Sequence, residues 1–123
     1  MRTRRPTLSL LAAGLVALGS AGCGATTTVA TGGTLQVALS EYRVIPQDVR
    51  AHTGLLTIFV HNYGRLTHDL VISLNGDPVL STKPIMPGQT EELDAAVIPG
   101  HYLMASSILS DQALGAYGTL IVR

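Results

Sequence analysis

Short apolar runs with a strand-like spacing, separated by turn-forming residues, recur along the chain from Thr34 onward. In residues 34–39 (TLQVAL) the apolar side chains stand at every second position, which is typical of a half-buried strand. Residues 55–60 (LLTIFV) form a continuous apolar run rich in β-branched and aromatic types, as in a strand buried on both faces. No segment carries an apolar stripe of useful helical length. The pattern therefore predicts an all-β domain.

Further strands are predicted along the same part of the chain, at 48–51, 68–74, 89–97, 102–106 and 118–122. Proline, glycine and asparagine separate them, for instance in the turn Asn75-Gly76-Asp77-Pro78. Short strands with turn signals every 8–12 residues are typical of a sandwich of two packed sheets.

The first 23 residues are predicted to be a signal peptide that precedes this domain. Three arginines come first, an apolar run follows at 8–18, and small residues lead into Cys23. An 11-residue helix would extend only about 16 Å, whereas the core of a bilayer is about 30 Å thick. The segment is therefore expected to direct export and not to span the membrane permanently.

Cys23 is predicted to carry a lipid. The residues Ser20-Ala21-Gly22-Cys23 resemble the lipobox of bacterial lipoproteins, although Ser20 stands where that family usually has an aliphatic residue. The resemblance implies lipidation of Cys23 and a location on the outer face of the bacterial cytoplasmic membrane or cell envelope. Cleavage after Ala25, which would give a soluble secreted protein, is the alternative. Cys23 is the only cysteine, so no disulfide can form within the chain.

The residues after the signal peptide predict a tether and a mildly acidic domain. Residues 24–33 (GATTTVATGG) are small and uncharged, and as a flexible tether they would span about 17 Å before the domain at 34–123. The arginines of the signal peptide account for three of the eight basic residues, which leaves five against eight acidic ones. No run of lysine or arginine remains, so nucleic acid and anionic membrane surfaces are not expected as partners.

Five segments of the domain occur in an order that points to a known family. They are Val44-Ile45-Pro46, residues 67–72 (THDLVI), Pro87-Gly88-Gln89-Thr90, Pro99-Gly100-His101-Tyr102 and residues 115–120 (GAYGTL). In this order they resemble the cupredoxins, the family of plastocyanin and related small blue-copper proteins, over nearly all of 34–123. The resemblance implies a Greek-key β-sandwich of about seven to eight strands.

The resemblance also indicates where the copper ligands of the family would fall. Cupredoxins use an early histidine, then a cysteine, a second histidine and usually a methionine near the C-terminus. The corresponding positions here are His68, Ser106, Asp111 and Ala116. Blue-copper chemistry depends on a copper–thiolate bond, which the hydroxyl of Ser106 cannot supply. The resemblance therefore implies a degenerate site, and no cofactor is expected.

A metal site and a catalytic site are the alternatives. A His–carboxylate pair such as His68 with Asp111 can hold Cu(II) or Zn with help, but two ligands rarely suffice. His52, His61 and His101 are predicted to lie at the surface. No Gly-x-Ser-x-Gly, zinc-protease or phosphate-loop motif is present, so the chain is not expected to be an enzyme and no catalytic residue is assigned.

The leading hypothesis is a non-catalytic binding module at the cell envelope. Its former ligand loops, 61–69 and 106–117, would form the contact surface for a protein partner, and the lipid anchor would hold it at the membrane. The alternative is a copper- or other metal-binding protein, in metal handling or electron transfer, with a divergent site around His68.

Overall fold

The computed structural model of the protein describes residues 27–108 and 111–123. Its strands, in chain order, are β1 (Thr27–Val29), β2 (Thr34–Ser40), β3 (Arg43–Ile45), β4 (Asp48–Ala51), β5 (Gly54–Asn62), β6 (Val71–Leu74), β7 (Asp77–Ser81), β8 (Thr90–Val97), β9 (Gly100–Ala105) and β10 (Tyr117–Val122). Within the described residues, no helix has the length and apolar character needed to cross a membrane.

The strands form two sheets that share one apolar core. The larger sheet has the order β1-β4-β10-β9-β6-β7, and the smaller one has the order β3-β2-β5-β8. Val37 and Ile58 of the smaller sheet and Ile72, Met104 and Leu120 of the larger one belong to the same buried cluster. The predicted all-β sandwich is therefore confirmed.

Most predicted strands are present, with shifted ends. β4 matches its prediction, while β6 begins at Val71 and not at His68. The reason is that the main chain of His68 pairs with Ile85 outside the regular strands. After the predicted turn at Asn75 and Gly76, both of which have positive φ, the chain returns as the edge strand β7. Pro78, which has no main-chain N–H, is compatible with this strand because one side of an edge strand forms no hydrogen bonds with a neighbouring strand.

The first part of the chain that the structure describes differs from the predicted tether. Residues 27–29 of that segment form β1, which pairs in parallel with β4, and Ala30 is buried in the core. The physical reason is that the outer edge of β4 offers unpaired main-chain groups, and Ala30 N–H donates to Arg50 O at 2.9 Å. Residues 24–26, the predicted signal peptide and Cys23 lie outside the described residues.

Four connections meet at one end of the sandwich. The turn between β2 and β3 and the loops that follow β5, β7 and β9 lie there, because Leu39 pairs with Asn62, Val71 with Ala105, and Ala105 with Tyr117. We call this the site end, and it comprises residues 41–42, 63–70, 82–89, 106–108 and 111–116. The opposite end, formed by the turns at 52–53, 75–76 and 98–99, is called the far end.

Candidate functional site

His68 lies at the centre of the site end. Its main chain is held by two hydrogen bonds with Ile85, from His68 N to Ile85 O at 3.1 Å and from Ile85 N to His68 O at 2.7 Å. The residue is only 1% exposed. Its Nδ1 lies 2.6 Å from Oδ2 of Asp111, which is also buried. Since an ionised carboxylate can only accept, Nδ1 is the donor in this bond.

Asp111 joins the histidine to the end of β9. Ser106, the first residue after that strand, is buried, and its hydroxyl donates to the same Oδ2 of Asp111 at 2.9 Å. The loop is closed by the main chain, since Ser106 N donates to Ala116 O at 3.1 Å and Ala116 N donates to Asp111 O at 2.9 Å. One carboxylate oxygen therefore accepts hydrogen bonds from two buried side chains on different elements.

The structure places all four positions that the resemblance assigned to copper ligands within this arrangement. His68, Asp111 and Ser106 are linked directly through their side chains. Ala116 is buried and has no polar side-chain atom, so its hydrogen bonds to Ser106 and Asp111 are made by the main chain. Met104, two residues before Ser106, is also buried.

Glu41 is a second carboxylate near the histidine, and the sequence analysis did not single it out. Its Oε1 accepts hydrogen bonds from the N–H groups of Arg65 and of Leu66, the latter at 2.9 Å, and lies 3.6 Å from Nε2 of His68. The Leu66 N–H, followed by those of Glu41 itself and Arg65, lowers the pKa of Glu41 to about 2, against the opposing effect of burial. No local pattern marks Glu41, because packing alone brings its turn to the loop before His68.

Gly64 leaves the space that His68 occupies. A Cβ on Gly64 would lie 2.9 Å from Nε2 of His68 and 2.6 Å from Oε1 of Glu41, closer than real Cβ atoms approach. Nε2 is buried, and none of the residues that the structure describes forms a hydrogen bond with it. The α-hydrogens of Gly64 therefore face the free side of the imidazole ring, and a larger residue would displace the ring or the carboxylate.

Asn62 fixes the loop that contains Gly64. Its side-chain amide donates to Leu66 O and to Ile85 O, both at 2.8 Å, and its Oδ1 accepts from Gly64 N at 2.8 Å. Asn62 is fully buried, so these bonds satisfy a polar group that would otherwise be costly to bury. The sequence shows only an asparagine after an apolar run, which is an ordinary turn signal, so the role of Asn62 could not be predicted from it.

Asp69 provides a second link between the loops. Its Oδ1 accepts from Ser107 N at 2.6 Å and from the Ser106 hydroxyl at 3.2 Å, and its Oδ2 accepts from the Ser107 hydroxyl. The consecutive residues His68 and Asp69 thus both bind the segment after β9. This link was not predicted.

The other histidines are not part of this arrangement. His52 and His101 are exposed, and Nδ1 of His61 lies 2.6 Å from the Thr90 hydroxyl, with its ring centroid 4.1 Å from that of Tyr63. Across 27–108 and 111–123, no group of three or more His, Cys, Asp or Glu side chains is arranged to hold a metal ion.

The donor atoms at the four ligand positions do not fit a blue-copper ion. Such an ion takes one thiolate and two imidazole nitrogens, with a weak axial ligand. Here the set offers one imidazole, whose Nδ1 is only 2.6 Å from Asp111 Oδ2, a hydrogen-bond distance that leaves no room for an ion between the two atoms. The Ser106 hydroxyl is engaged by the same oxygen.

The protein has the fold of the blue-copper cupredoxins. Its two sheets have this strand order, and a histidine, the β9–β10 loop and the β2–β3 turn meet at one end. The predicted resemblance is confirmed. No family model matches the chain, and neither does any curated protein.

Among solved structures, auracyanin from the photosynthetic bacterium Roseiflexus castenholzii has a TM-score of 0.69 at 20% identity, covering 74% of this chain and 97% of that one. Auracyanin A, a "blue" copper protein from Chloroflexus aurantiacus, has a TM-score of 0.66 at 15% identity, covering 73% and 98%. Rusticyanin from Thiobacillus ferrooxidans has a TM-score of 0.64 at 17% identity, covering 81% and 83%.

Proposed function

We propose that this protein is an exported, lipid-anchored domain of the cupredoxin fold that has lost the type 1 copper site and acts as a non-catalytic binding module at the cell envelope. The observation that carries the proposal is the hydrogen-bonded group of His68, Asp111 and Ser106 at the positions where the family holds its metal. Copper is replaced by a carboxylate that accepts from two buried donors.

This group supports a structural role for the old site. A metal ion ties the loops of a cupredoxin together, and here the hydrogen bonds of Asp111, Asp69 and Glu41 connect the same loops. Each carboxylate accepts from groups on a different segment of the chain, so the loops keep a defined shape without an ion. A rigid surface suits binding, because less entropy is lost when it meets a partner.

The geometry also favours binding over catalysis. A nucleophilic serine needs a base within hydrogen-bond reach. The hydroxyl of Ser106 lies against the carboxylates of Asp111 and Asp69, and the imidazole of His68 donates to Asp111 from the other side. The acid therefore stands between the serine and the histidine, which is the wrong order for a catalytic triad.

The contact surface that we propose is the site end, where a protein partner would bind. Large apolar side chains are exposed around the buried polar group, namely Tyr42, Tyr63, Leu66, Met86 and Leu114. Clustered exposed apolar side chains mark interaction sites more often than isolated ones do. Met86 is 56% exposed and belongs to this surface.

The alternative function, metal binding at a divergent site, has one observation in its favour. Nε2 of His68 is buried, has no hydrogen-bond partner within 27–108 and 111–123, and lies 3.6 Å from Oε1 of Glu41. An imidazole nitrogen beside a carboxylate oxygen is the beginning of a site for Zn²⁺ or Cu²⁺. Against it stands Gly64, whose α-carbon occupies the space next to both atoms.

Titration of the purified protein with Cu(II), Cu(I) and Zn(II), followed by calorimetry and visible absorption, separates the two functions. We expect no binding of micromolar or tighter affinity that depends on His68, and no intense visible band. The matched pair of variants is His68→Ala and His101→Ala, since His101 is an exposed histidine of the same chain. Tight binding that is lost only in His68→Ala would replace the binding-module proposal with the metal-site alternative.

A further inference from the structure

The direction of β1 determines which end of the sandwich lies near the membrane anchor. β1 runs parallel to β4, and β4 runs parallel to β10, so that Thr27, Asp48 and Thr119 stand side by side. β10 begins at Tyr117 at the site end and runs toward the far end. Thr27 is therefore about 7 Å from the site-end edge of the sheet, at about 3.3 Å per residue, and the chain before it enters from that side.

The distance that Cys23 can reach is short. Four Cα–Cα steps separate Cys23 from Thr27, which corresponds to at most about 14 Å of extended chain. The ten-residue tether predicted from sequence would have let the domain turn freely. With residues 27–29 paired in the sheet, the remaining four-residue link is long enough to reach past the site end. To place Cys23 beyond the far end, the same link would have to reverse direction and run the whole length of β1 and β4.

The site end carries the side chains that a partner at the membrane would meet. The exposed apolar residues are Tyr42, Tyr63, Leu66, Met86 and Leu114, and the exposed basic residues are Arg65 and Lys83, with Arg43 at the adjoining start of β3. The sequence shows no run of basic residues, because these three come from two different loops and a strand. The acidic residues of the same loops accept internal hydrogen bonds: Glu41 from Leu66 N, Asp69 from Ser107 N and Asp111 from His68 Nδ1.

We infer that the site end faces the bilayer that holds Cys23, and that its partner is the exposed, membrane-proximal face of an integral membrane protein. This inference rests on the proposed function, because it requires the lipid on Cys23 and a partner at the site end. An apolar centre with a basic rim matches the pattern of protein interfaces, in which aromatic, methionine and arginine side chains are enriched.

The lipid surface itself is a poorer match than a protein. Recognition of anionic headgroups uses clusters of about four to eight lysines or arginines. The site end has two, with Arg43 beside it, and its loops also contain the three carboxylates of Glu41, Asp69 and Asp111. The strand β8 beside it adds the exposed acids Glu92 and Asp94, which anionic lipid would repel.

The orientation can be measured with the lipidated full-length protein in phosphatidylcholine vesicles that contain a headgroup spin-labelled lipid. A fluorophore is attached at Tyr63→Cys on the site end or at Ile98→Cys on the far end; both side chains are exposed, at 72% and 60%. We expect at least twofold stronger quenching at position 63. Inserting twelve Gly/Ser residues between Ala25 and Thr26 should abolish the difference. Equal or reversed quenching of the anchored protein would overturn the orientation.

The partner is identified by photo-crosslinking in the cells that make the protein, with a benzoylphenylalanine at position 63 or 98. We expect position 63, and not 98, to give an adduct with an integral membrane protein, reduced at least threefold by Arg65→Glu together with Lys83→Glu. An adduct confined to lipid, to a second copy of this chain or to a soluble protein would overturn the inference. Mass spectrometry that finds no lipid on Cys23, or no adduct at either position, would refute the proposed function as well.

Discussion

Replacing Asp111 with alanine is the most direct test of the site. The carboxylate is 3% exposed and accepts hydrogen bonds from Nδ1 of His68 at 2.6 Å and from the hydroxyl of Ser106 at 2.9 Å. Both donors are 1% exposed, so neither can turn to solvent when the acceptor is removed. Asp111→Ala therefore leaves Nδ1 of His68 without its acceptor, leaves the Ser106 hydroxyl only the longer contact of 3.2 Å to Asp69 Oδ1, and loosens the loop that Asp111 joins to the histidine.

The expected loss of stability follows from these two donors. A buried donor without a partner costs about 1–3 kcal/mol, and losing the shorter of the two Ser106 hydrogen bonds adds about 0.5–1.5 kcal/mol. We therefore expect Asp111→Ala to lower the free energy of unfolding by about 2–4 kcal/mol. A domain of this size has a total of about 5–15 kcal/mol.

Urea unfolding at pH 7, followed by far-ultraviolet circular dichroism, measures this loss. With a slope of about 1–3 kcal/mol per molar urea, a loss of about 3 kcal/mol shifts the midpoint by about 1–3 M. The matched control is Asp94→Ala, which removes an exposed aspartate that accepts from the Thr57 hydroxyl and should cost less than about 1 kcal/mol. If the two variants lost equal stability, the buried group would not hold the loops as argued.

Three further changes test the surroundings of the histidine. Gly64→Ala should cost about 1–3 kcal/mol in the same urea assay, because its Cβ would overlap the Glu41 carboxylate; an unchanged midpoint would mean that the loop shifts freely. The pKa of Glu41 falls from 4.5 to about 2 on folding, so the stability that its carboxylate contributes is complete above pH 4.5 and is lost as the pH falls through 2. Glu41→Gln should remove this part of the acid dependence when urea midpoints are measured from pH 6 to pH 2. Parallel plots of midpoint against pH for the two proteins would contradict it. The triple variant Ser106→Cys, Asp111→His and Ala116→Met restores a thiolate, a second imidazole and a thioether, and it should gain an intense visible band with Cu(II); a colourless product would show that these positions do not correspond to the ligands of the family.

The strands could be predicted because their signals are local. Alternation in 34–39 and the apolar run at 55–60 lie within β2 and β5, and turn residues mark their ends. β1, β3 and β7 were not predicted, since each is short and sits at the edge of a sheet. Such a segment becomes a strand because it pairs with a neighbouring strand of the sheet. Three to five residues are too few to show the alternation that would predict this pairing.

The candidate site was predictable in part. The resemblance to the cupredoxins predicted four of its positions, because the spacing of the family's ligands indicates which residues come together in the fold. These positions are His68, Ser106, Asp111 and Ala116. Glu41 lies in the β2–β3 turn, 27 residues before His68, and neither spacing nor composition connects the two. The same holds for Arg65, Lys83 and Arg43, which come from two separate loops and from strand β3.

The amino-acid sequence by itself determined the class of the domain and the absence of a thiol from residues 34–123, because alternation and turn residues act locally and the cysteine count is a matter of composition. Only the tertiary structure decided which side chains meet His68 and at which end of the sandwich β1 begins. Those outcomes depend on atoms from distant segments meeting within hydrogen-bond distance, as Asp111 meets His68 across 43 residues and β1 meets β4 across about 20.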